Sequence, residues 1–296
     1  MKIEVISPGM FTTVQDGGRI GMEAFGIPES GFMDQQSGKL ANQLVGNVPT
    51  AALIEITGTG PTLIFHNDIM IAVTGGDFSP TIDGNSLELD TAVHIKKGSV
   101  LKFHQAKTGF RAYLAFKGKL LADIVYASSS THTQNGFGGH QGRTLKKGDS
   151  LEVTNQSASV KRNKNLRQEL ETTRNLYTGQ EHVIRIYPGP ECKMLTDTDK
   201  DRFTEHLFKV SNNSNRMGYR LSGRWTSSEL KLPNIISSGN IRGVVQLPPS
   251  LDPIILLNDA GTTGGYPRIG VCENPDLVAQ IKPGEKIRFE WVEYNF

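Results

Sequence analysis

Residues 259–270 read DAGTTGGYPRIG: a carboxylate, two adjacent threonines, four glycines and a tyrosine, directly after the apolar run IILLN. Glycine loses more freedom on ordering than any other residue, so this density implies that something needs bare backbone here. Asp259 at the end of a strand can act as a base or orient a bound amide. The Thr262 and Thr263 hydroxyls and the unobstructed amides of Gly264 and Gly265 can together hold a carbonyl or carboxylate oxygen. Tyr266 can cover a flat ligand. The competing reading is a structural turn, although two threonines beside two glycines exceed what a turn requires.

Three other segments combine polar side chains with glycine. PGMFTTVQDGGRIGMEAFGIPESGFMD places Gln15, Asp16, Arg19 and Asp34 on or beside turns, where side chains can converge on a ligand. The alternative is that Asp16 and Arg19 brace a long loop. NGFGGHQGR offers the amides of Gly138 and Gly139 to an anion, with His140 and Arg143 beside them. It lacks the lysine and hydroxyl of a nucleotide-binding P-loop. SNRMGYRLSG puts Arg216 and Arg220 on one face of a strand, able to grip a carboxylate or simply to meet solvent. No Ser-His-Asp order, HExxH pattern or nucleophilic cysteine setting is present, and the seven histidines are scattered, so metal chemistry is not indicated.

The elements that must position these residues are mostly short strands. PTLIF, IMIAVTG, AVHI, SVLKFHQ, RAYLAF, LEVTN, HVIRIYPG, IILLND and KIRFEWVEY are β-branched or alternating, with DGN, KKG and PG turns between them. Helices are few: SGFMDQQSGKLANQLVGN, with Ser30 as a candidate cap and Asp34 near the start, then TDTDKDRFTEHLF and NPDLVAQI. The polar stretch 156–180 reads as an exposed linker or solvated helix between two β-rich halves, 1–155 and 181–296.

With 296 residues, 37% hydrophobic and 21% charged, the chain can bury one large core or two medium ones. A net charge of +2, with both signs intermixed, gives no basic face for nucleic acid or membrane. No apolar run is long enough to span a bilayer, and MKIEVISPGM has no apolar core of a secretory leader. The two cysteines, Cys192 and Cys272, stand far apart without a metal or disulfide spacing, which fits the cytoplasm.

Taken together, PGMFTTVQDGGRIGMEAFGIPESGFMD, LANQLVGN, NGFGGHQGRTLKKGD, SNRMGYRLSG, GVVQLPP and TTGGYPRI resemble the KipA/PxpC family, the biotin-dependent carboxyltransferase or allophanate hydrolase subunit 2-like proteins. The resemblance covers nearly the whole chain. It implies a mainly β fold of cyclophilin-like barrel architecture with two barrel-like halves. It also implies a KipI/PxpB-like partner and, with a LamB/YcsF (PxpA)-like subunit, an ATP-dependent 5-oxoprolinase. In that setting Asp259 and Gln15 orient the lactam, with Asp16 beside them. Thr262, Thr263, Gly264, Gly265, Tyr266, Arg216, Gln246, Asp34 and Arg143 bind substrate.

The chain has no P-loop of its own, which assigns ATP to the complex. Two other functions are compatible with the resemblance. One is biotin-dependent carboxyl transfer to urea or another amide, with the biotin on another chain. The other is KipA-type regulation through a KipI-like kinase inhibitor. Three positions depart from the family pattern: Gly261 stands for a usual Gln, Asn215 for Asp and Ser238 for Glu.

Overall fold

The computed structural model describes residues 1–155, 178–223, 225 and 235–293. The segment 156–180 expected as a linker lies outside them except for residues 178–180. The described chain is mainly β with three α-helices. It forms two compact units: Met1–Ile20 with Ser30–Thr178, and Gly21–Glu29 with Gly179–Phe296.

The first unit contains two sheets. One runs, in spatial order, Lys119–Leu120, Ser150–Thr154, Lys2–Ser7, Thr62–Phe65, Val100–Lys102, Thr81–Ile82 and Asn85–Ser86. The other runs Phe11–Gln15, Leu53–Thr57, Thr108–Phe116, Ile69–Asp77 and Ala92–Ile95. Ile3, Val5, Leu63 and Leu151 from the first sheet share one core with Ile54, Ile71 and Leu114 from the second. The helix Gln35–Leu44 covers the other face of the second sheet, where Ala41 and Val45 meet Leu53 and Tyr113. That sheet is therefore buried on both faces, which is why IMIAV and AYLAF read as unbroken apolar runs. Ser150–Thr154, with one face in solvent, alternates instead.

The helix begins one turn later than a Ser30 cap would place it. Ser30 has φ 56°, and Asp34 is the N-cap: its Oδ1 accepts from the Ser37 amide at 2.9 Å and its Oδ2 from the Ser37 hydroxyl at 2.6 Å.

The second unit is a closed seven-stranded barrel. Its order is Glu181–Pro188, Arg268–Cys272, Val244–Gln246, Ile254–Leu256, Gly218–Ser222, Phe208–Val210 and Lys286–Trp291, which returns to the first strand by a parallel pairing. The helix Asp197–Glu205 opens on a Thr196–Asp199 capping box. It buries Phe203 completely, stacked on Phe289 at 4.9 Å and edge-on to Trp225 at 5.4 Å. A third helix, Pro275–Gln280, is capped by Asn274. The Tyr219 hydroxyl, on the barrel wall, donates to the Ile281 carbonyl at 3.0 Å just past that helix.

Phe203 joins the helix to two barrel strands, so Phe203→Ala is expected to destabilise the protein by about 3–5 kcal/mol. The urea midpoint of the variant checks this, with the aromatic near-ultraviolet signal reporting on the same cluster.

Candidate functional site

In the first unit, the polar residues beside the glycine turns brace loops. Asp16 Oδ1 accepts from the Gly18 amide at 2.9 Å and from the Ser128 and Ser130 hydroxyls at 2.6 Å each. Its Oδ2 accepts from the Ser129 amide at 2.5 Å. Arg19 is buried, donates to the Val125 carbonyl at 3.1 Å and to the Ser130 carbonyl, and lies 4.7 Å over the Phe137 ring. Gln15, also buried, donates through Nε2 to Thr13 Oγ1 at 3.0 Å and to the Thr131 carbonyl at 3.1 Å.

The expected anion turn is likewise built into the framework. The Gly139 amide donates to the Asp123 carbonyl. Arg143 makes a two-pronged bond to Asp149 at 2.7 and 2.9 Å. That bond is the main reason the Asp149 carboxyl is lowered to about 2.

The same unit buries a polar group that sequence reasoning missed. Glu55, inside the strand Leu53–Thr57, accepts from the Met33 amide at 2.8 Å, and the Tyr113 hydroxyl accepts from the Asp34 amide at 2.6 Å. Burial, then the Glu55 and Asp34 charges, raises the Tyr113 phenol well above its usual range and keeps it neutral. The available signal was a glutamate inside the apolar run ALIEIT.

In the second unit the loop after Ile254–Leu256 is anchored by an ion pair. Arg216 Nε donates to Asp259 Oδ2 at 2.8 Å and its second nitrogen to Oδ1 at 3.2 Å, with both side chains only 6% exposed. The backbones are tied as well: the Asp259 amide donates to the Arg216 carbonyl and the Leu257 amide to the Met217 carbonyl, both at 3.0 Å. Arg216 precedes the strand Gly218–Ser222, so it turns inward while Arg220 faces solvent. The expected shared arginine face is therefore absent, because strand alternation does not extend to Arg216.

Beyond Asp259 the loop forms a short ribbon in which Thr263–Gly264 pairs with Ser238–Gly239. Gln246, 5% exposed, donates to Asn240 Oδ1 at 3.2 Å, and Asn240 Nδ2 donates to the Gly261 carbonyl at 3.2 Å. A Cβ on Gly264 would lie 2.7 Å from both carboxamide nitrogens. A side chain at 264 would displace the Asn240 and Gln246 carboxamides from these bonds. Thr263, Gly265 and Tyr266 are exposed on the outer part of the loop.

Beside this ribbon lies a cleft of about 340 Å³. Asn240, Arg242, Asn258, Gly261, Thr262 and Glu29 are among its lining residues. Of the site residues expected from sequence, Thr262 alone lines it. Arg242, which was missed, donates to Asn258 Oδ1 at 2.8 Å and to Asp276 Oδ1 at 2.6 Å. Its signal was a charge at the start of the barrel-strand segment RGVVQ.

The sequence pattern of the carboxyltransferase domain, subdomain A and B, matches residues 25–291. The chain belongs to this family. It is similar to the C-subunit of 5-oxoprolinase from Escherichia coli (strain K12), with 38% identity over 97% of this chain and 90% of that protein. It is also similar to the C-subunit of 5-oxoprolinase from Haemophilus influenzae, with 34% identity over 98% of this chain and 91% of that one. Among solved structures it resembles the K. lactis urea amidolyase, with a TM-score of 0.90 and 31% identity over 99% of this chain and 19% of that much longer one. All three positions where this member of the carboxyltransferase family departs from the expected pattern fall in the second unit's site segments: Asn215 accepts from the Met217 amide at 2.8 Å, Ser238 pairs with Gly264, and Gly261 lines the cleft.

Two outcomes follow. Arg216→Met leaves Asp259 buried without its partner and is expected to destabilise the protein by about 3–5 kcal/mol, whereas Arg216→Met with Asp259→Leu regains most of that loss. Chemical denaturation of the three proteins checks the coupling. Asp149, whose folded carboxyl lies below its usual range, contributes stability that is present above the usual carboxylate range and lost as pH falls through about 2. Asp149→Asn should therefore flatten the decline in urea midpoint between about pH 5 and about pH 2.

Proposed function

We propose that this chain is the carboxyltransferase-like C-subunit of an ATP-dependent 5-oxoprolinase, a complex that opens 5-oxo-L-proline to L-glutamate. The observation that carries the reading is the likeness, along nearly the full length of both chains, to the C-subunits of two bacterial 5-oxoprolinases. The loop that leaves the barrel at Asp259 supports it, because its Ala260, Gly261 and Thr262 line a cleft that a small lactam fits.

An unstrained lactam resists water at neutral pH, and ATP supplies the activation. The Gly138–Gly139 turn does not fit a phosphate group: the Ser130 carbonyl and the Arg19 guanidinium take the space beside Gly138, and Arg143 is held by Asp149. ATP is accordingly assigned to a partner, either the KipI/PxpB-like or the LamB/YcsF (PxpA)-like subunit. The assembly is placed in the cytoplasm, in keeping with two buried free cysteines, of which Cys272 has its thiol raised to about 12 by desolvation. Both oxygens of Asp259 are engaged by Arg216, so its role is to position the Ala260–Thr262 segment. Thr262, which lines the cleft, supplies its hydroxyl to the substrate.

The structural likeness to a urea amidolyase favours one second reading, carboxyl transfer from a biotin carried on another chain to urea or a related amide. A regulatory role through a KipI-like inhibitor would involve the same partner but no turnover.

The test is to purify the chain with its two partners and follow glutamate released from 5-oxo-L-proline. Release that requires ATP and all three proteins is expected. A well-formed complex that releases none, or that carboxylates urea with a biotinylated carrier instead, overturns the reading.

A further inference from the structure

The cleft of the barrel unit has one wall whose backbone is only partly used. Across the ribbon, the Asn240 amide donates to the Thr262 carbonyl at 2.9 Å, and Asn240 Nδ2 donates to the Gly261 carbonyl. The opposite groups of the same peptides are not matched. Among the described residues, neither the Gly261 amide nor the Thr262 amide donates to a protein acceptor. Gly261 and Thr262 line the cavity, and each keeps an undonated N–H while its carbonyl is held by Asn240. Undonated amides at a cavity wall are groups that can receive an oxygen atom of a ligand.

Gly261 differs physically from Gly264. Among the described residues, a Cβ on Gly261 would have only the Thr263 carbonyl oxygen near it, at 3.5 Å, an ordinary contact, and its φ lies outside the left-handed region. Neither packing nor conformation requires glycine at 261. An added methyl group would sit on a residue that lines the cleft.

The charges around the cleft decide which oxygen fits. Arg242 is paired with Asp276 at 2.6 Å, and the 21–29 segment contributes the carboxylates Glu23 and Glu29 to the lining. An additional carboxylate would meet like charge on the Glu23 side of the lining, whereas a neutral carbonyl would not. Ile241, Leu257 and Ala260 give the rest of the lining an apolar character suited to a small ring.

We propose that this cleft binds the uncharged amide edge of its ligand, with the carbonyl oxygen received by the Gly261 and Thr262 amides and any carboxylate left outside. The ligand class is a small neutral amide or lactam. The inference rests on the amide-opening reading above and specifies which end of the substrate enters.

Three probes separate the alternatives: 2-pyrrolidinone carries the amide alone, 5-oxo-L-proline carries both groups and L-proline carries the carboxylate alone. Their binding is titrated by ligand-observed NMR against the assembled complex and against the chain alone. The proteins are the wild type, Gly261→Ala and Gly239→Ala. Gly239 also has open space around its Cβ position but lies outside the cleft lining, so its variant reports on any general effect of adding a methyl group to the ribbon.

The wild type and Gly239→Ala should bind 2-pyrrolidinone and 5-oxo-L-proline but not L-proline. Gly261→Ala should weaken both by about tenfold, as expected for a lost hydrogen bond in a closed approach, with an unchanged melting temperature. Equal binding by Gly261→Ala, L-proline binding as well as 2-pyrrolidinone, or no binding of 2-pyrrolidinone to the wild type overturns the proposal. Binding that depends on Gly261 in a complex that releases no glutamate would uphold the cleft and remove the 5-oxoprolinase reading. Glutamate release indifferent to Gly261→Ala would do the reverse.

Discussion

The arrangement of the barrel unit's site depends on the contact between Arg216 and Asp259. Two side-chain bonds and two backbone bonds join residues 216–217 to 257–259. Because the pair is almost fully buried, a loop position that separated the charges would leave a carboxylate without water or counter-ion. The loop therefore leaves the strand Ile254–Leu256 in one direction only. Everything beyond it inherits that direction: the Ala260 turn, the exposed backbone at Gly261 and Thr262, and the ribbon formed by Thr263–Gly264 with Ser238–Gly239.

The glycines of this loop answer to two physical demands. Gly264 is flanked by the Asn240 and Gln246 carboxamides, which are bonded to each other and to the loop, so its bare α-carbon serves internal packing. Gly261 faces open space on the cleft. A glycine-rich sequence looks uniform, yet one position closes the structure and another opens it. Which is which depends on the residues lying opposite, and these come from twenty or so positions earlier in the chain.

The first unit shows why polar residues beside glycine turns are weak indicators of chemistry. Long irregular loops leave backbone amides and carbonyls without ladder partners, and buried groups of that kind must be satisfied. Asp16 accepts bonds from two backbone amides and two hydroxyls in the 18–130 loops, Arg19 serves two carbonyls, and Asp34 caps a helix. Each has the residue type and the setting of a ligand-binding group, and each has a structural bond that accounts for its presence. The buried Glu55–Tyr113 group carries no comparable label in the sequence, because one glutamate in an apolar run is a small deviation from the pattern of a buried strand.

The sequence by itself determined the mainly β composition, strands such as Thr62–Phe65, Ile69–Asp77 and Lys286–Trp291, and the three helices of the described residues, because alternation, apolar runs, turn residues and caps are local properties of the chain; Lys2–Ser7, Phe11–Gln15 and Leu53–Thr57 were not read as strands. It also determined the family likeness, since TTGGYPRI, SNRMGYRLSG and the long N-terminal motif are contiguous. Asp259 stood out in the sequence from its place between an apolar strand and a glycine loop, but its pairing with Arg216 did not.

Tertiary structure alone decided that Asp259 spends both oxygens on Arg216, that Arg143 belongs to Asp149, and that Arg242 and Asn258 share a cleft wall with Thr262. These are pairings across the fold, set by the closure of the barrel and the crossing of distant loops. Spacing along one chain specifies neighbours on a strand, and it carries no record of which strands the barrel will bring side by side.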